Sequence, residues 1–369
     1  MSGFDEARYM QDISADPESI ERHLNFLENK FLDVHRSFNG FDEEFHYVEC
    51  CSQPVNLDDP QQYRSANVLT NKTKNRYSNV LPKEHTRVKL SPIPGEECSD
   101  YINGNYIGGL LPGTEQEYIA TQGPLQTTFQ DFWRMVWEQS SSVIVMLTKE
   151  IEDERLKCDR YWPEPDTPLV VGDFRIELLD VMEKEELTER TFSLTNEQSD
   201  ETRKVYQFQF TAWPDHDLPT TQNPMEAFLD LAHKVDQLNN THGPLIVHCS
   251  AGIGRSGTFC AVHSIIEKMR SDVKNNPSEV PKFNMIKTVM QMRASRSGMV
   301  QTKDQYKFCY QTILEESRRL YGKESVAKSN GRENFQEYDS SSSVYTEEYS
   351  DDDSSSDDEG ETFNGREEK

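Results

Sequence analysis

A strand-length apolar run, Leu245-Ile-Val-His248, passes without a break into Cys249-Ser-Ala-Gly-Ile-Gly-Arg255-Ser-Gly257. A cysteine and an arginine thus bracket five small or apolar residues: Ser250, Ala251, Gly252, Ile253 and Gly254. That spacing suits a tight loop closed around one phosphate-sized dianion, with backbone N–H groups turned inward as an anion nest. The helix expected after the loop adds its positive N-terminal end. Arg255 offers a planar, two-pronged grip on two oxygens. Cys249 lies at the bottom of this field, where a thiolate nucleophile is expected. A nucleophile on the floor of a phosphate cradle points to attack on phosphorus. The alternative is a buried core cysteine, a common fate of the residue type.

Two other phosphate loops fit less well. Gly252-Ile-Gly254-Arg-Ser-Gly257 has the letters of a dinucleotide fingerprint. That fold needs a ribose-binding acid after a second strand about 20 residues on. Here Ser271-Asp-Val-Lys-Asn-Asn-Pro-Ser-Glu reads as a polar loop after a helix. No Gly-Lys-Ser/Thr follows, so a Walker loop is excluded.

The segment His248–Gly257 resembles the signature of the classical protein tyrosine phosphatases, and other segments resemble further motifs of that family in its order. Lys74-Asn-Arg-Tyr77 is similar to the phosphotyrosine-recognition loop, and Asp100-Tyr-Ile-Asn103 to a core motif. Thr121-Gln-Gly-Pro124 with Asp131-Phe-Trp133 is similar to another. Trp213-Pro-Asp215 resembles the mobile acid loop, and Gln301-Thr302 with Gln305 the glutamine loop. The resemblance spans about residues 74 to 310. It implies hydrolysis of phosphotyrosine in proteins, and the lack of a leader-like start or a membrane-length apolar run makes a non-receptor form the expectation.

It also implies the division of labour. Cys249 attacks phosphorus while Asp215 protonates the leaving tyrosyl oxygen, a service typically worth 10²–10⁴-fold. Arg255 and the loop amides hold the phosphoryl oxygens, where transition-state charge is spread. Gln301 orients water against the cysteinyl-phosphate, and Asp215 then acts as base. Ser256 can bond the departing sulfur. His248 either tunes the thiolate or is a core histidine bridging backbone. Glu152 aligns with the carboxylate that steers the loop arginine, its alternative being a surface acid. Lys157 aligns with a lysine that contacts the acid loop, and Trp213 serves as that loop's hydrophobic lever. A second candidate, Trp162-Pro-Glu164, is read as structural.

Specificity follows from depth. A thiolate at the bottom of a cleft is reached by phosphate on an aryl stem, and phosphoserine is too short. Tyr77 would wall the cleft and stack on the substrate ring, or else pack in the core. Val80, Ile253 and Gln305 join the wall. Asn79 stands where many relatives have aspartate, and can still accept peptide N–H groups without charge. Asp217 stands where relatives usually have glycine, which puts acid-loop closure in question. A phosphotyrosine-binding pseudophosphatase and a dual-specificity phosphatase are the competing readings.

The 369 residues carry a net charge of −26. From Phe335 onward there are 13 acids against 2 bases, about −11, which leaves about −15 for the body. Acidic surface makes nucleic acid an improbable ligand, since duplex binding needs bases. The Ser/Asp/Glu-rich tail has almost no apolar anchor and is expected to be disordered over 323–369. Its Tyr338, Tyr345 and Tyr349 lie among acids, which suits phosphorylation or competition for the positive cleft. Seven cysteines without metal-ligand or redox spacing suit a reduced compartment. Neither a cofactor nor a metal is called for. No basic-then-apolar leader opens the chain, and no apolar run nears the ~20 residues of a membrane span. The expected home is the cytoplasm, with the nucleus also open.

Periodicity predicts a helix over about 18–48, with Ile20, Leu24, Leu27 and Phe31 on one face. Strands are predicted at Tyr118–Thr121, Val143–Leu147, Phe174–Leu179, Val205–Thr211 and Leu245–His248. Val205–Phe210 alternates as a half-buried strand should. Helices are predicted at Thr128–Glu138, Met225–Leu238, Gly257–Met269 and Gln305–Arg319. The expected fold is α/β: a mixed, highly twisted sheet with helices on both faces. An N-terminal helical segment (1–50) would pack on a catalytic domain (51–322).

Overall fold

The computed structural model describes residues 10–29, 40–52, 56–111, 117–213, 221–239 and 243–321. Nine strands form the main sheet: β2 (Arg87–Lys89), β3 (Tyr101–Ile107), β4 (Tyr118–Thr121), β5 (Val143–Met146), β8 (Leu169–Val171), β9 (Phe174–Glu183), β10 (Leu187–Asn196), β11 (Glu201–Phe210) and β12 (Leu245–His248). Short pairs lie outside it, β1 (Ile13–Ser14) with β13 (Lys282–Phe283), and β6 (Ile151–Glu152) with β7 (Arg155–Leu156). The helices are α1 (Pro17–Asn29), α2 (Gly40–Cys51), α3 (Leu69–Lys72), α4 (Phe129–Glu138), α5 (Pro224–Leu238), α6 (Gly254–Asn275), α7 (Met285–Ser295) and α8 (Lys303–Leu320).

The order β2-β3-β4-β12-β5-β11-β10-β9-β8 makes the sheet mixed. Its centre, β4-β12-β5-β11, is parallel, and both flanks are antiparallel. Parallel strands covered on both faces read as continuous apolar runs, and β12 and β5 are buried throughout. One face packs under α1, α2, α5, α6, α7 and α8, through residues such as Leu27, Phe45, Phe228, Phe259 and Tyr306. The other packs on α4 through Phe132, Trp133 and Val136. The central β12 therefore ends between two apolar layers, and its C-terminal end is where the Cys249 loop begins.

Of the predicted helix over 18–48 the structure describes α1 and α2, while 30–39, with Phe31, lies outside the described residues. Two expectations need correction. The helix after the cysteine loop is longer than predicted: it starts at Gly254 and runs to Asn275, so Ser271–Asn275 is helical rather than loop. Alternation in β11 does not mark a wet face. Gln207 and Gln209 are buried, and they bond Tyr161, Arg190 and the Thr148 carbonyl. Over Gln207–Phe210 both faces of β11 are interior, one apolar and one hydrogen-bonded, which satisfies the rule that buried polar groups need partners.

Candidate active site

The Cys249 loop is held open by carbonyls pulled outward. Fully buried Arg296 donates to the carbonyls of Gly252 and Ala251, each at 2.9 Å. A trans peptide points its C=O and the next N–H in opposite directions. Fixing those two carbonyls to Arg296 therefore turns the N–H groups of Gly252 and Ile253 the other way, into the loop. The Gly252 N–H accordingly donates to Cys249 Sγ at 3.3 Å. Arg296 is itself positioned by the side-chain oxygens of Asn103 and Asn105 on β3, each at 2.9 Å. Burial lowers its pKa to about 10, so it stays charged at neutral pH. Sequence reading missed Arg296. No local signal marked it, because its side-chain partners Asn103 and Asn105 lie on a strand whose polar residues disguise it in the sequence.

Gly252 has φ +72°, a left-handed conformation that favours glycine, and a Cβ there would stand 2.1 Å from the Thr121 carbonyl oxygen. This close approach locks the loop to the end of β4. The Gly123 N–H adds a bond to the Ser250 carbonyl at 2.9 Å.

Arg255 enters α6 in its first turn and is buried. Its two terminal nitrogens donate to Glu152 Oε1 and Oε2 at 2.7 and 2.9 Å, and one donates to the Trp213 carbonyl at 2.8 Å. Glu152 is no surface acid. It is 9% exposed and also accepts from Thr148 Oγ1 and the Lys149 N–H. Trp213 is buried against the rings of Phe228 and Phe308. Pro214, Asp215 and Asp217 lie outside the described residues.

His248 is fully buried on β12, and burial lowers its pKa to about 4. A neutral imidazole has one donor and one acceptor. Gln207 donates to the Tyr161 hydroxyl, which donates to His248 Nε2 at 2.8 Å. Nδ1–H is then the donor to the Cys249 carbonyl at 3.2 Å. With burial favouring the neutral ring, the Nδ1–H bond ties His248 to the backbone at Cys249. Ser256 is buried, and its hydroxyl has no hydrogen-bond partner among the described residues.

A cleft of about 390 Å³ opens above the loop. Cys249, Ser250, Ala251, Ile253, Gly254 and Arg255 form its floor, and Tyr77, Asn79, Val80, Lys157, Gln301 and Gln305 are on its walls. The Ser250 hydroxyl donates to the Lys157 carbonyl at 2.9 Å, so the 2.7 Å contact with Tyr77 is a bond donated by the Tyr77 hydroxyl. Tyr77 is only partly buried, so it belongs to the wall rather than the core. The residues before it anchor the segment. Lys74 pairs with Asp131, Asn75 accepts from Tyr101 and Asn103, and Arg76 pairs with Asp159. Buried Gln305 accepts the Gln301 N–H at 3.0 Å, and Gln301 Oε1 lies 3.0 Å from where a Cβ on Gly254 would stand. Trp162 is buried under Arg160 and Arg190, and Glu164 pairs with Arg160 on the surface, away from this cleft.

All seven cysteines are free. Among the described residues no group of His, Cys, Asp and Glu could hold a metal ion, and no helix is long and apolar enough to cross a membrane.

Comparison with known proteins meets the same segment. The family described as "Protein-tyrosine phosphatase" matches residues 71–315. Receptor-type tyrosine-protein phosphatase S of Gallus gallus is 46% identical over 268 residues, covering 72% of this chain and 17% of that protein. Tyrosine-protein phosphatase 2 of Dictyostelium discoideum is 38% identical over 345 residues, covering 77% of this chain and 87% of that protein. The crystal structure of the catalytic domain of human protein tyrosine phosphatase non-receptor type 18 superposes with a TM-score of 0.67 at 37% identity, over 75% of this chain and 96% of that one. The chain spans less than a fifth of the length of the receptor-type relatives it matches.

Proposed function

The chain belongs to the protein-tyrosine phosphatase family, and on that premise we propose that it hydrolyses phosphotyrosine in proteins through a cysteinyl-phosphate. In the first step the Cys249 thiolate forms an S–P bond as the ester O–P bond breaks, and Asp215 gives its proton to the tyrosyl oxygen. In the second, water attacks phosphorus, the S–P bond breaks, and Asp215 takes the proton back. The inward N–H groups of the loop and Arg255 stabilise the charge on the phosphoryl oxygens in both transition states. Gln301, above Gly254, positions the water. The unpartnered Ser256 hydroxyl is the donor for the departing sulfur.

One observation carries this reading. Cys249 sits under inward-turned amides, beside an arginine whose fork is fixed by Glu152, at the bottom of a cleft walled by Tyr77. That wall supports tyrosine over serine or threonine, since only an aryl stem spans such depth. Seven free cysteines support a reducing compartment such as the cytoplasm. We take 51–322 as the catalytic domain, with the helices of 1–50 packed on it.

Phosphate release from matched phosphotyrosine and phosphothreonine peptides tests the reading. The phosphotyrosine peptide is expected to be the substrate, Cys249→Ser to be inactive, and Asp215→Ala to retain bound phosphopeptide. Comparable turnover of both peptides, or turnover by Cys249→Ser, would refute it.

A further inference from the structure

The mouth of the cleft carries a charge that the two-step chemistry does not use. Among the described residues lining it are three bases, Arg155, Lys157 and Arg255, and no acid. In a chain of net charge −26 such a gathering of cations runs against composition. Arg255 is committed to Glu152, and Lys157 is buried. Arg155 differs. It lies on the β6–β7 hairpin and is exposed, and its guanidinium has no ion pair or hydrogen bond among the described residues.

Nearby acids do not neutralise it. Glu152, opposite Arg155 in the hairpin register, is taken up by Arg255. Asp153 and Glu154 form the hairpin turn, at φ +46° and +59°, and do not line the cleft. The facing wall, Tyr77, Asn79 and Val80, is uncharged.

We propose that Arg155 is a specificity-determining residue that favours phosphotyrosine flanked by carboxylates. The proposal rests on the phosphotyrosine-hydrolase reading. With the phosphate on the cleft floor, a neighbouring Asp or Glu stays at the mouth, where an exposed guanidinium can take it two-pronged. The chain carries sequence of this chemistry in Tyr345-Thr-Glu-Glu and Tyr349-Ser-Asp-Asp-Asp.

The test uses the full chain and a peptide copying residues 342–353, phosphorylated at Tyr349, with a second peptide in which every Asp and Glu is replaced by Asn and Gln. For the unmodified chain, kcat/KM is expected to favour the acidic peptide about fivefold at low salt, the upper range for an exposed ion pair, with the advantage shrinking as ionic strength rises. In Arg155→Gln the ratio is expected to fall towards one, and in Arg155→Lys to recover in part. Equal ratios in the unmodified chain and Arg155→Gln, or no preference in the unmodified chain, would overturn the proposal. The same peptides are titrated calorimetrically against Cys249→Ser, alone and combined with Arg155→Gln. A charge preference in binding without any turnover by the parent chain would uphold Arg155 and sink the hydrolase reading. Turnover without the preference would sink Arg155 alone.

Discussion

Glu152 and Arg255 meet as a parallel two-bond pair, at 2.7 and 2.9 Å, with both side chains nearly removed from water. The pair joins the β6–β7 hairpin to the first turn of α6, so the hairpin sets the direction of the arginine fork. Removing one member of a buried pair leaves the other charge without compensation. Glu152→Gln is expected to lower unfolding stability by about 3 kcal/mol and kcat/KM on a phosphotyrosine peptide by about 100-fold, the scale of a slight misplacement of a reacting group. Urea unfolding and steady-state kinetics on one preparation check both; full activity at reduced stability would separate Glu152 from the chemistry.

Arg296 should behave as a bracing residue. Lysine keeps the charge but cannot reach the two loop carbonyls and two asparagine oxygens that Arg296 joins. Arg296→Lys is expected to destabilise the protein by about 3 kcal/mol, because several buried acceptors lose partners. With the Ala251 and Gly252 carbonyls released, kcat is expected to fall even on a small aryl phosphate, which has no peptide to reach the cleft's mouth. A fall in stability with kcat intact would show that the loop holds its shape without this clamp.

The buried His248 gives a pH dependence of known sign. Burial holds it near 4 in the folded chain, against an ordinary value of 6.5. As pH falls, the unfolded chain takes up this proton first, so the contribution is intact above about 6.5 and is lost progressively towards 4. Between pH 7 and pH 5 the loss from this residue is about 2 kcal/mol. His248→Gln is expected to reduce the stability difference between those pH values by that amount. An unaltered difference in urea unfolding would mean that His248 is protonated in the native state.

Legibility from sequence was uneven for physical reasons. Strands β4 and β12 are mainly apolar runs closed by one polar residue, Thr121 and His248, and their predicted limits coincide with the structure. Strand β3, Tyr101-Ile-Asn-Gly-Asn-Tyr-Ile107, was not predicted as a strand, because its asparagines and glycine are poor strand formers. Those asparagines are present to hold Arg296, so the residues that obscure the strand are the ones that shape the site. Strand β10 hides for a related reason: its Thr, Glu and Arg residues face partners such as Gln207 and Lys234 rather than a dry core. In the site, the loop and its arginine were legible because backbone and side chain act within a few residues of each other. Arg296 was not, since its partners lie on β3 and in the Cys249 loop, and only folding brings the three together.

Gly252 offers the sharpest separation of strain from collision. Both Gly252 and Gly95 have positive φ, +72° and +87°. Alanine at Gly95 would meet nothing within 4 Å, so only backbone strain of about 1–2 kcal/mol applies. Alanine at Gly252 adds a clash at 2.1 Å with the Thr121 carbonyl, a backbone atom that cannot swing away. The loop must then lift from β4, carrying with it the N–H that faces Cys249 Sγ. Gly252→Ala is expected to cost clearly more stability than Gly95→Ala, and to lower kcat/KM by at least about 100-fold. Gly95→Ala, on the surface away from the cleft, is expected to keep its turnover. If the two substitutions cost the same stability and turnover, the contact with Thr121 does not hold the loop.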